Sequence, residues 1–80
     1  MKTQIYLGNL PKAMTEKQVR MLIGNYGVPT LVVMSMNKDQ GKFQGKAFIT
    51  MESLEEAEEA ARGLDGMKFG GTPLVCKVLS

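Results

Sequence analysis

The chain is 80 residues long, 44% hydrophobic and 22% charged, with a net charge of +2. That length builds one modest core, and no apolar run approaches the roughly 18 residues of a membrane span. A single cysteine forms no internal disulfide and the lack of histidine removes the usual zinc sets, so residues 1–80 are expected to form one metal-free, cofactor-free, monomeric domain in a reducing, intracellular compartment.

The start, "MKTQIYLGNL", lacks the long apolar core of a signal peptide. Within it Ile5 and Leu7 alternate with Gln4, Tyr6 and Gly8, the period of a strand with one buried face, and Tyr6 points away from the core. In "MTEKQVRMLI" Thr15 and Gln18 have capping-box spacing, and Met14 with Val19 has that of a hydrophobic staple. Val19, Leu22 and Ile23 supply the apolar stripe of a first helix, which the Gly24 to Gly27 region ends.

Pro29 suits only the start or edge of a strand, so "TLVVMSM" reads as a second strand at a sheet edge, apolar on both sides. "NKDQGKF" reads as a loop, and "GKAFITM" as a third strand with Ala47, Ile49 and Met51 inward and Phe48 outward. Ser53 and Glu56 form a second capping-box pair, after which Leu54, Ala57, Ala61 and Leu64 recur at helical spacing. Six of the eight acids, Glu52, Glu55, Glu56, Glu58, Glu59 and Asp65, fall in this segment, as a solvated helix face requires. Residues 1–51 hold seven bases against Glu16 and Asp39, which leaves the rest of the domain attractive to a polyanion. Asp65-Gly66 and Gly70-Gly71 punctuate the exit, and "LVCKVL" closes the chain as a fourth strand with Leu74, Cys76 and Val78 inward.

The order strand, helix, strand, strand, helix, strand predicts an α+β, ferredoxin-like βαββαβ sandwich, a four-stranded antiparallel sheet with both helices on one face. In that arrangement the first and third strands are central neighbours. Tyr6 and Phe48 then stand side by side on the open face.

At these positions the residues resemble a known family. "IYLGNL", Ile5 to Leu10, is similar to the short ribonucleoprotein motif of the RNA-recognition motif (RRM) family, and "QGKAFITM", Gln44 to Met51, to its octamer. Gly45, Ala47 and Phe48 fit the octamer pattern, whereas Gln44, Lys46 and Met51 depart from it. The resemblance extends from Thr3 to Leu79 and, applied to the second strand, turns Val32 and Met34 inward and Leu31 and Val33 outward.

The resemblance implies single-stranded RNA binding on the open sheet face, in RNA processing or regulation. Tyr6 and Phe48 would each stack a base. Lys46 replaces a frequent third aromatic and is expected to contact phosphate or a base edge, as is Lys77, for which an ordinary solvated lysine is the equal alternative. Gln44 replaces a basic phosphate contact that Lys42 and Lys38 are placed to supply. Asn9 either caps the first strand or touches RNA, and Phe43 is expected to add a stack from its loop. Cys76 reads as a small core hydrophobe.

The competing expectation is a protein-interaction module of the same fold, using outward Leu31, Val33, Val75 and Leu79. Catalysis is not expected. The acids lie along a helix surface, and the "GK" pairs lack the spacing of a phosphate-binding loop.

Overall fold

A computed structural model describes residues 2–79. The elements are β1 (Thr3–Gly8), α1 (Glu16–Ile23), β2 (Pro29–Asn37), β3 (Lys42–Met51), α2 (Leu54–Leu64), a short hairpin of β4 (Lys68–Phe69) and β5 (Thr72–Pro73), and β6 (Val75–Val78). Four strands make one antiparallel sheet in the order β2-β3-β1-β6, the ferredoxin-like arrangement. Helix α1 lies against β2 while α2 crosses β6, β1 and β3. Among the described residues no helix is long and apolar enough to cross a membrane.

Period-two alternation decides what is buried. Ile5 and Leu7 of β1 meet Ala47, Ile49 and Met51 of β3, and Val19, Ile23, Ala57, Ala60 and Leu64 of the helices close the core above them. Cys76 is part of that core, as its position on β6 requires, and desolvation pushes its thiol up to about 11, so it is protonated at neutral pH.

The first helix begins on a complete capping box. The Gln18 amide donates to Thr15 Oγ1 at 3.2 Å and the Thr15 amide to Gln18 Oε1 at 2.9 Å, while Met14 and Val19 are both buried in the core. At the second helix only half of the expected box forms. Ser53 Oγ accepts from the Glu56 amide at 3.2 Å, but the Glu56 carboxylate turns away to accept from the Val28 amide at 3.3 Å. Glu56 thereby ties the segment before β2 to α2, and Gly27 is small because any Cβ there would meet that side chain.

Three expectations need correction. Leu54 is 47% exposed, because it is the first residue after the cap and lies at the flank of the face that Ala57, Ala60 and Leu64 bury. The Asn37 to Phe43 loop is shorter than expected: Asn37 Oδ1 accepts from the Asp39 and Gln40 amides, Gly41 takes φ +64°, and β3 already starts at Lys42. Phe43 is therefore a strand residue with the parity of Ala47 and Ile49, only 7% exposed, and offers no stack to a ligand. The third correction is the β4–β5 hairpin itself, whose two-residue strands flank Gly70-Gly71 at φ +64° and +87°, a turn that glycine alone makes without strain.

The contrast between the two phenylalanines of β3 is measurable. Phe43→Ala should destabilise the domain by about 3 to 5 kcal/mol, as core aromatic truncations do. Chemical denaturation of the variant checks this, and a near-neutral effect would return Phe43 to the surface.

Candidate nucleic-acid interface

The β1–β3 register places Tyr6 directly opposite Phe48. Their rings stand 5.6 Å apart between centroids and are tilted by 51°, so the two faces are not parallel and each is offered separately. Phe48 is 37% exposed with nothing from the helices above it, because its alternation neighbours Ala47 and Ile49 take the core side. Val33 of β2 sits across from Phe48, and Leu31 and Val33 are half exposed on the same face. Val75 is half-buried and Leu79 exposed.

The attitude of the Tyr6 ring has a cause in the backbone two residues on. A Cβ at Gly8 would fall 2.7 Å from Tyr6 Cζ and 2.9 Å from Cε2, so the ring lies over the glycine and covers it. Gly8 is thus the seat on which Tyr6 rests.

The loop that follows is fixed at two points. Gly45 at φ +81° has its backbone against Leu10, where a Cβ would come 2.8 Å from the Leu10 carbonyl oxygen, and the Leu10 amide donates to Gly45 O at 3.0 Å. Asn9, at φ +61°, donates its side-chain amide to Pro73 O at 3.2 Å. That bond ties the end of β1 to β5, which suits the capping reading of Asn9.

Three lysines gather at one end of β3. Lys12, Lys42 and Lys46 line a cleft of about 340 Å³ together with Asn37, Gln40, Gln44 and the otherwise buried Phe43. No acid lines it among the described residues, and none of the three lysines has an ion-pair partner there. On the helices Arg20 pairs with Glu16 and Arg62 with Glu59, both at 2.9 Å. Gln44 accepts from Ser35 Oγ at 2.8 Å through Oε1, leaving its amide donors for a ligand.

Lys77 is cross-strand from Tyr6, yet its ammonium reaches round the sheet edge to Asp65 at 3.1 Å. Asp65 also accepts from the Cys76 amide at 3.0 Å, and these two donors, the backbone one foremost, hold its carboxyl below the usual carboxylate range. The pair is exposed to solvent, where such ion pairs hold their partners only weakly. Lys12 was missed in the sequence, although it lies only two residues beyond Leu10, the end of the short motif. Its proximity to Lys42 and Lys46 depends on the Leu10–Gly45 contact, which is far apart in sequence.

Gly8→Ala tests whether Tyr6 is seated as described. The added methyl should swing the ring off the strand, weakening RNA binding about as much as Tyr6→Ala does, roughly 1 to 3 kcal/mol, while far-UV circular dichroism stays unchanged. Binding equal to the wild type would show that the ring's attitude does not depend on Gly8.

Residues 5–75 match the RNA recognition motif family. Curated relatives include the U2 snRNP component IST3 of Saccharomyces cerevisiae, 36% identical over 88% of this chain, and the chloroplastic 33 kDa ribonucleoprotein of Nicotiana sylvestris, 38% identical over 85%. The aligned segments span only 47% and 21% of those two proteins. Among solved structures, the Rna15 RRM with bound RNA (GU) superposes with a TM-score of 0.84 at 34% identity, covering 92% of this chain and 79% of that one. Over nearly its whole length, then, in motif, topology and sequence alike, the chain belongs to the RNA recognition motif family.

Proposed function

We propose that the domain binds single-stranded RNA across its open sheet face and serves RNA processing or regulation inside the cell. The observation that carries this reading is the Tyr6–Phe48 pair, two aromatic faces held opposite one another on the two central strands. Every base has a π face, so such a surface accepts successive bases with little regard to sequence. Lys46 stands two residues from Phe48 on the same side of β3, where it meets the phosphate between or beside the stacked bases, and Lys42 and Lys12 continue the cationic track. Gln44, Lys77 and Asn9 flank this path.

The acids do not oppose it. Glu55, Glu58 and Glu59 are exposed on α2, behind the sheet, where salt screens them from the open face. The described surface offers π faces and ammonium groups, the chemistry of base stacking and phosphate contact.

The apolar flank of Leu31 and Val33 also admits a protein partner on the same face. It is the less favoured reading: a purely apolar interface has no use for the lysines beside Phe48.

A salt titration against a pool of unstructured random-sequence RNA tests the function. Phe48→Ala should weaken binding by about 1 to 3 kcal/mol with the melting temperature nearly unchanged. Lys46→Ala should flatten the slope of log affinity against log salt by about 0.7, the contribution of one phosphate contact to a single strand. Wild-type binding that ignores salt would instead favour the protein partner.

A further inference from the structure

A second cleft, of about 560 Å³, opens where β1 ends; it shares Tyr6, Lys12, Gln44 and Lys46 with the surface described above and adds a wall from the β4–β5 hairpin that this surface does not use. Its walls come from three places: Asn9 and Lys12 after β1, Gln44 to Lys46 of β3, and Phe69 with Thr72 of the β4–β5 hairpin. We propose that a third nucleotide of the bound strand leaves the sheet and lodges in this cleft, its base against Phe69 and its phosphate at Lys12 and Lys46. The inference rests on the RNA-binding reading above and adds to it a subsite.

Several observations converge on that occupant. The volume falls within the roughly 300 to 1,000 Å³ of small-molecule sites, which a single nucleotide suits. Two ammonium groups and no acid line the cleft among the described residues, so it favours an anion. Two aromatic rings, Tyr6 and Phe69, also line it, and an anion carrying a flat ring is the chemistry that uses both kinds of wall.

The cleft is also built to persist. The Leu10–Gly45 backbone bond holds the β1 segment against β3, and the Asn9–Pro73 bond holds it against the hairpin. Phe69, 38% exposed, stands beside the tight Gly70-Gly71 turn and is within reach of a ligand in the cleft that it lines. Continuity supplies the route. Tyr6 leans over Gly8 toward the end of β1, and it lines the cleft as well as facing Phe48, so a strand stacked on Phe48 and then on Tyr6 arrives at the cleft mouth.

The test compares pools of random-sequence dinucleotide and hexanucleotide RNA. A dinucleotide fills the sheet platform alone, whereas a hexanucleotide reaches the cleft. Phe69→Ala should weaken hexanucleotide binding at least about fivefold, the lower end for a lost stack, and leave dinucleotide binding unchanged. Phe48→Ala should weaken both. In the wild-type chain, backbone amide resonances of Gly70 and Thr72 should move on adding the hexanucleotide and stay fixed with the dinucleotide, which reads the cleft without any substitution. The proposal is overturned if Phe69→Ala binds the hexanucleotide like the wild type, or if the Gly70 and Thr72 resonances ignore it. Failure of the RNA reading itself looks different: the wild type would then bind neither pool.

Discussion

The register of β1 against β3 is the constraint on which the rest depends. Ile5 faces Ile49, Tyr6 faces Phe48 and Leu7 faces Ala47, so the same pairing that sends aliphatic side chains into the core sends both aromatics out together. A slip of one residue would exchange the faces of the moved strand, burying its aromatic and exposing its aliphatics. Burial of Ile5, Leu7, Ile49 and Met51, all with no exposed surface, makes that slip prohibitive. The Leu10–Gly45 contact pins the same register at the end of the pair, since only a glycine admits both the positive φ and the approach of the Leu10 carbonyl.

Function follows from what that register leaves over. The helices occupy one face of the sheet and carry most of the acids with them, and the other face keeps two aromatic rings and unpaired lysines. Fold and binding surface are therefore two sides of one alternation. Gly8 and Gly45 refine it, the first by seating the Tyr6 ring and the second by drawing the following loop onto β3, which brings Lys12 beside Lys42 and Lys46. Neither glycine contributes a side chain to the surface, yet each decides where a contributing one stands.

Much of this was legible in the sequence because it is local and periodic. Alternation in "TQIYLGNL" and "GKAFITM", together with their resemblance to family motifs, points to the central strands, their faces and the adjacency of Tyr6 and Phe48. Phe43 was misread because the polar run before it looked like a longer loop, although counting back by twos from Ala47 places it in the core. Glu56 has the right spacing for a capping box, but its carboxylate serves Val28, a partner 28 residues away that local spacing does not reveal. Lys77 shows the limit of parity from the other side: its strand position faces the platform, while its long stem carries the charge to Asp65 at the edge. The hairpin strands are two residues each, too short for any period, and only the Gly70-Gly71 pair announced a turn there. Phe69 and the cleft beside it were for that reason invisible until the fold brought its three walls together.

The central claim is that the Tyr6 ring itself carries a base, and tyrosine emission reports on it directly. The chain has two tyrosines and no tryptophan, and Tyr26 lies away from the sheet face over Gly63 of α2, so Tyr26→Phe leaves Tyr6 as the one emitter. Titrating that variant with unstructured RNA should quench its emission in step with binding, because a stacked base lies in contact with the ring. Saturable binding with emission unchanged would contradict the account and place the RNA elsewhere on the domain.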